Sequence, residues 1–333
     1  MSTLSVVMAS LNDQDECLET IRSIRQTAGD AVEIVVVDDC SGSPYTSDQR
    51  FSQFKNVTII CNMHRCGCGP SRHLGAMAAK GEWLLICDSH MRFEPGWFEA
   101  ATAAVTAVDP RYNIVMHDAY RTVWCATCIG LDRDHMDMAK PASGPYYGAT
   151  FNFHGPDRQK KGLMQTLECV WLKPGELDQN DGAEIPAVMG AAYFVSRQWF
   201  LHTAPTLFLR TWGGDELMIS MKSWMAGGSV RLLRNVRIGH RFPVAGERKR
   251  FGLPPGHAAF NKVMAAHTLF PAPVAKKLVD WVLSECSAQD RDAAELLTRQ
   301  DWHIIAQEGH RNRSMLFTRS VDWLCSKFQI PMP

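Results

Sequence analysis

Trp83-Leu84-Leu85-Ile86-Cys87-Asp88-Ser89-His90 is an apolar run of strand length that ends in side chains able to hold a metal ion. The same pattern occurs earlier, where Val32 to Val37 runs into Asp38-Asp39-Cys40-Ser41-Gly42. Leu4 to Ala9 and Val57 to Cys61 are further strand-like runs, and Asp15 to Gln26 and Ser71 to Ala79 carry helical spacing between them. Strand and helix signals in alternation specify an α/β fold with a doubly wound, mostly parallel sheet. Open sheets of this kind bind ligands beyond the carboxyl ends of their strands, which is where both acidic clusters fall. Ile114 to His117 is expected to add another strand.

From about Asp132 the pattern changes. Ala149 to Phe153 and Leu167 to Leu172 flank the polar stretch Gly155 to Gly162 and predict a long hairpin with that stretch at its tip. Glu216 to Ala226 reads as a helix, Val230 to Leu233 and Val236 to Ile238 as extended, and Arg241 to Gly256 as a loop rich in Pro, Gly and Arg. His257 to Phe328 is amphipathic and helical. The expected organisation is a catalytic domain over residues 1–256 with a helical extension, 257–333, packed on it.

Bulk properties exclude several classes. The 333 residues are 46% hydrophobic and 21% charged, as in an ordinary globular enzyme. Lys plus Arg and Asp plus Glu both number 35, so no global field draws the chain to nucleic acid or anionic lipid. The apolar start lacks a basic leader and a small-residue cleavage site, and no run approaches the ~18 apolar residues of a membrane span. A cytoplasmic protein without membrane association is therefore expected. Eleven cysteines at irregular spacing argue for reduced thiols. Cys61, His64, Cys66 and Cys68 crowd one loop and Cys125 with Cys128 forms a CxxC. Neither shows the paired spacing of a structural zinc site, so buried or loop thiols are expected.

After a strand, Asp88 and His90 occupy alternate positions and can point to one side of the chain. A carboxylate with an imidazole suits a borderline divalent cation such as manganese, with magnesium as the alternative. A surface turn explains the same two residues equally well, and a third ligand is needed. His240 follows the strand-like segment Val236 to Gly239 and is the best candidate, although a lone histidine is usually structural.

Three ordered blocks change the balance. Val35-Val36-Val37-Asp38-Asp39-Cys40-Ser41 resembles the strand end of glycosyltransferases with the GT-A fold. Arg65-Cys66-Gly67-Cys68-Gly69-Pro70-Ser71-Arg72-His73-Leu74-Gly75-Ala76, followed by Asp88-Ser89-His90, is similar to the R-x-G-x-x-x-[SA]-R-x-x-G-A stretch and D-S-H motif of polypeptide N-acetylgalactosaminyltransferases. Trp212-Gly213-Gly214-Asp215-Glu216, then Trp224 to Gly228, then Ile238-Gly239-His240 resemble that family's WGGE, W-x-x-GG and VGH series in order. The resemblance covers roughly residues 3–265. It implies a metal-dependent hexosyltransferase using a UDP-sugar, with Asp88, His90 and His240 as cation ligands. Asp39 would contact the nucleoside, with Ser10, Arg65 and Arg72 at the nucleotide site; because Pro243 stands where the family has Arg, the diphosphate contact is expected to move to Arg241 or Arg248. Asp215, at the place of the motif's Glu, would face the donor sugar, with Trp212 shaping the same pocket. The family retains the anomeric configuration and needs no enzyme nucleophile. Inverting relatives use a carboxylate as general base near here, so Asp215 or Glu216 is the candidate for that alternative.

The chain departs from the pattern in three places. Met189-Gly190-Ala191-Ala192-Tyr193-Phe194 replaces AGG-L-F, Asp215 is one methylene shorter than Glu, and Pro243 stands where the family has Arg. The donor is thus open between UDP-N-acetylgalactosamine, UDP-glucose and similar sugars. Golgi members carry an N-terminal anchor and a lectin domain, and their absence here points to a bacterial or viral protein in the cytoplasm. The expected acceptor is a hydroxyl on a protein or glycan. An alternative is a hydroxymethylated base in viral DNA, suggested by basic residues between Arg231 and Arg250 and by Arg158, Lys160 and Lys161. Alternatives of another class are a nucleotidyltransferase, for which a Gly-rich phosphate loop is lacking, and a non-catalytic module that binds sugar nucleotides.

Overall fold

β1 (Leu4–Ser10) lies at the heart of the sheet, parallel to β2 (Glu33–Asp38) on one side and to β4 (Trp83–Cys87) on the other. β3 (Val57–Cys61) continues the parallel half beyond β2. These are the runs the sequence marked as strands. β2 and β4 are buried at every position, which is why their apolar residues run on without alternation. The structure is a computed structural model that describes residues 4–106, 120–132, 136–154, 165–172, 175–242 and 252–333. The expected strand at Ile114 to His117 lies outside them, as do the hairpin tip with Arg158, Lys160 and Lys161, and the segment holding Pro243 and Arg248.

The other half of the sheet is mixed. The strand order is β3-β2-β1-β4-β10-β6-β11-β5, with β7 (Ser143–Tyr146) also paired to β6. β10 (Ala192–Ser196) runs antiparallel between β4 and β6 (Thr122–Leu131). β11 (Ser229–Arg241) is one strand where two extended pieces were expected, with a register shift between Leu233 and Arg237 as it follows β6. It then pairs antiparallel with β5 (Met91–Phe93), and that register sets His240 opposite Met91. The expected hairpin is present as β8 (Ala149–Asn152) paired with β9 (Glu168–Trp171).

Between the strands lie α1 (Gln14–Ala28), α2 (Cys68–Ala78), α3 (Trp97–Thr106), α4 (Arg197–Thr203) and α5 (Asp215–Met225). The C-terminal part is helical, as its periodicity predicts: α6 (His257–Leu269), α7 (Ala272–Ser284), α8 (Ala288–Gln300), α9 (Trp302–Arg311) and α10 (Val321–Phe328). Among the described residues no helix is long and apolar enough to cross a membrane.

A buried ion pair joins this helical part to the sheet. Lys222 on α5 is fully buried and donates to the carbonyls of Thr203 and Ala204 at 3.0 and 3.2 Å, and to Glu308 on α9 at 2.5 Å. Burial pushes the Lys222 ammonium below its usual pKa, against Glu308, which holds it up. Lys222→Met would leave Glu308, itself 5% exposed, with only the more distant Arg311 at 3.3 Å. A stranded buried charge costs several kcal/mol, so a loss of about 3 kcal/mol in urea unfolding is expected. A change within ~0.5 kcal/mol would show that the pair does not tie the two parts together.

Candidate active site

The carboxyl edge of the sheet gathers three of the residues singled out by sequence. Asp88 follows β4, His90 precedes β5, and the β11–β5 pairing delivers His240 from far along the chain. One ligand atom from each lies within 4.8 Å of the other two, and the imidazole centroids are 4.9 Å apart. His240 Nε2 lies 3.1 Å from one Asp88 oxygen. Burial opposes ionisation of Asp88, but the His240 hydrogen bond, Arg72 and both imidazoles hold its carboxyl well below the usual range. Burial lowers the pKa of both histidines. An anionic carboxylate and two neutral imidazoles are the donor set of a divalent transition-metal site, and the residues fit the expected cation.

Sequence reading missed Asp13. Its Oδ2 lies 3.1 Å from His90 Nδ1 and accepts from the Ser89 hydroxyl at 3.2 Å. A carboxylate on Nδ1 fixes the imidazole's tautomer and leaves Nε2 free to ligate. The signal was present, because Asn12-Asp13 lies just past the end of β1, as Asp39 and Asp88 lie just past their own strands.

Arg72, on α2, is the buried counter-charge. Its guanidinium donates to Asp88 at 2.6 Å, to Asp215 at the start of α5, and to the carbonyl of Gly190 at 3.3 Å. Burial disfavours that charge, yet Asp215 and Asp88 together hold Arg72 well above its usual pKa. Asp215 is 4% exposed, and the carboxyl of its neighbour Glu216 lies over Gly190. A Cβ at Gly190 would sit 2.3 Å from Glu216 Oε1, so a side chain there would push the Glu216 carboxyl aside.

The remaining sequence candidates divide. Asp39 accepts from the backbone N–H of Cys66 and Gly67, both at 2.8 Å, from Asn62 at 2.9 Å and from the Ser71 hydroxyl at 3.1 Å. It shapes the loop that carries Arg65. Arg65 donates to the carbonyl of Gly252 at 2.7 Å and lines a cavity of about 270 Å³ with Arg210, Thr211 and His257. Ser10 is turned inward, its hydroxyl 2.6 Å from that of Tyr45. Arg241 is 6% exposed, and its backbone N–H donates to the His90 carbonyl at 3.2 Å. Arg248 lies outside the described residues.

Trp212 is 53% exposed at the rim, on a loop with φ of +98° at Gly213 and +87° at Gly214. Asn261 on α6 holds that loop: its amide donates to the carbonyls of Arg210 and Gly213 at 2.8 Å and of Trp212 at 3.3 Å, and its Oδ1 accepts from the Arg210 N–H at 2.8 Å. Phe242 packs on His240 with centroids 4.3 Å apart, Trp171 lies 5.2 Å from Phe242, and Tyr146 lies 4.2 Å from Trp171. The cysteines are free thiols. Among the described residues the one group of three or more candidate metal ligands is Asp88, His90 and His240.

Residues 5–124 match the model of glycosyl transferase family 2. Polypeptide N-acetylgalactosaminyltransferase 12 of Mus musculus is 25% identical over 252 residues, covering 72% of this chain and 40% of its own length. Putative polypeptide N-acetylgalactosaminyltransferase 9 of Drosophila melanogaster is 27% identical over 239 residues, covering 68% and 33%. The crystal structure of GalNAc-T7 with UDP, GalNAc and Mn2+ superposes with a TM-score of 0.70 at 19% identity, covering 100% of this chain and 59% of that one. The fold is that of a GT-A glycosyltransferase, resembling the catalytic domains of polypeptide N-acetylgalactosaminyltransferases. S. aureus TarS 1-349 in complex with UDP-GlcNAc shares it more distantly, with a TM-score of 0.53 at 12% identity over 93% of this chain and 81% of that one. The chain spans well under half the length of the curated relatives named here.

Removing an outer-shell carboxylate usually weakens metal affinity ~10- to 100-fold, and Asp13→Ala is expected to do so. Calorimetric titration with manganese checks this, and Asp13→Asn should fall between the two. Equal affinity in wild type and Asp13→Ala would mean that His90 is oriented by its packing alone.

Proposed function

We propose that this chain is a metal-dependent glycosyltransferase that moves a sugar from a UDP-sugar to an acceptor hydroxyl. The observation that carries the reading is the convergence of Asp88, His90 and His240 within 4.8 Å at the carboxyl edge of the sheet. GalNAc-T7 with UDP, GalNAc and Mn2+ supports both the donor class and manganese. The cation would be held by those three side chains and would supply Lewis-acid stabilisation of the charge that builds on the departing diphosphate. The protein's own part is to keep Asp88 ionised through Arg72, to keep both imidazoles neutral by burial, and to hold His90 in one tautomer through Asp13. Such groups need not reorganise as charge develops, which is the core of electrostatic catalysis.

The Tyr146–Trp171–Phe242 cluster offers apolar faces beside His240, a surface suited to one side of a sugar ring or an apolar acceptor. GalNAc- or glucose-like donors and transfer with retention complete the proposal, drawn from the family resemblance. A protein or glycan hydroxyl is favoured over a DNA base. Arg231 is paired with Glu184 and Arg237 with Glu94, both at 3.1 Å, so the described basic residues of β11 are largely engaged.

A hydrolysis and transfer screen of UDP- and GDP-sugars, with and without manganese, tests the proposal. Turnover with a UDP-sugar should require the cation and fall at least about 100-fold in Asp88→Ala. Metal-independent turnover that survives that substitution removes the reading.

A further inference from the structure

The cavity of about 270 Å³ lined by Arg65 differs in chemistry from the metal edge. The loop 64–66, the loop 207–211, α6 and residues 301–305 contribute its walls. Asp39, Asp88, His90, Asp215 and His240 are not among them. The described walls hold two guanidiniums, two imidazoles and one carboxylate, that of Asp301, which pairs with Arg210 at 2.5 Å. Beside these lie apolar side chains, among them Leu207, Phe260 and Ile304.

Thr211 stands out in this wall. It is β-branched yet held at φ +48°, in the left-handed region that such side chains avoid. Its backbone is fixed there, with its N–H donating to the Cys66 carbonyl at 3.3 Å and its carbonyl accepting from the Cys68 N–H at 2.8 Å. The residue is 6% exposed, and its hydroxyl has no hydrogen-bond partner among the described residues. Two further buried nitrogens of the same walls, Arg210 Nε and His257 Nδ1, also have none. Buried polar atoms are seldom left in this state, and three in one cavity call for a common partner. The first turn of α6, which supplies His257 and Phe260, carries no acidic residue and no side-chain cap, and such a helix start attracts anions. Burial, and after it Arg210 and Arg65, lower the pKa of His257, as expected where positive groups crowd one space.

We propose that this cavity binds a small phosphoester, its phosphate received by Arg65, Arg210, the Thr211 hydroxyl and the start of α6, and its apolar body lying against Phe260 and Ile304. Phosphate oxygens are acceptors, which is what the unpartnered hydroxyl and nitrogens lack, and their charge suits the guanidiniums and the helix start. The hydrocarbon in the walls favours an ester over a bare inorganic ion. The site goes beyond the transferase reading and does not rest on it, because no metal ligand lines the cavity. An occupant would join the loop 64–66 to the loop that leads into Trp212.

Isothermal titration calorimetry of the full chain in metal-free buffer, with phenyl phosphate and inorganic phosphate as probes, tests the proposal. Phenyl phosphate should saturate one site per chain with a Kd at or below about 1 mM, and should bind more tightly than inorganic phosphate. Thr211→Val keeps the side chain's shape and removes the hydroxyl, so it should weaken phenyl phosphate about 10-fold, the scale of one hydrogen bond to a charged group. His257→Gln should weaken it as well, and Asp88→Ala, at the metal edge, should leave it unchanged. Absence of saturable binding overturns the proposal, as does equal affinity for the two probes. An affinity that shifts in Asp88→Ala and holds in Thr211→Val and His257→Gln assigns the phosphate to the metal edge and removes the cavity site. Should Thr211→Val fail to fold, His257→Gln decides. A chain that binds phenyl phosphate in this way and turns over no sugar nucleotide keeps the cavity site and loses the transferase reading.

Discussion

The candidate site depends on a single guanidinium. Arg72 reaches from α2 to Asp88 after β4 and to Asp215 at the head of α5, three elements well separated in the chain. Without it, two carboxylates would share a buried edge with no partner of opposite sign, and at least one would take up a proton. With it, Asp88 stays ionised and fixed in direction, one oxygen on Arg72 and the other on His240. Lysine could not do the same, since a point charge lacks the planar fork needed to hold two carboxylates and a carbonyl in set directions.

A second constraint is backbone proximity. Gly67 and Thr211 form a bridge in which a Cβ on Gly67 would come within 2.3 Å of the Thr211 backbone. The Cys68 N–H donates to the Thr211 carbonyl at 2.8 Å, so the loop shaped by Asp39 and the loop bearing Trp212 move as one. Asn261 fastens the second loop from behind, using an amide able to donate and accept at once. The helical part therefore belongs to the site's architecture: α6 holds the rim, and Lys222–Glu308 holds α9 to the helix that begins with Asp215 and Glu216.

Much of this was legible in the sequence, for physical reasons. β2 and β4 are buried at every position and β1 at all but Ala9, so they read as unbroken apolar runs, and acids at their ends mark the ligand-binding edge. Asp88, His90 and His240 were named and do converge. The mixed half of the sheet was harder. β5 is three residues long, and β10 follows the turn-rich Met189–Ala191 segment, so neither shows a clear period. Roles hidden by pairing were harder still. Asp39 and Ser10 look available in a sequence, but four donors occupy Asp39 and Tyr45 occupies Ser10. Asn261 carries no local mark, because its partners lie on a distant loop.

Stability alone does not explain the buried charges. Apolar side chains of similar volume usually hold elements together at least as well as a buried carboxylate–guanidinium–carboxylate group, since desolvation cancels most of the Coulomb gain. Within the sheet apolar packing does that work, as in β1 and β2, whose Val6, Val7 and Val35 to Val37 are fully buried. The polar cluster is confined to the edge where Asp88, His90 and His240 meet, and each of its members constrains a neighbour's direction or charge. Asp13 sets His90, Arg72 sets Asp88 and Asp215, and Gly190 admits the Glu216 carboxyl. A cluster that costs stability and fixes geometry at one edge is accounted for by chemistry at that edge, where charge placement must be settled before the substrate arrives.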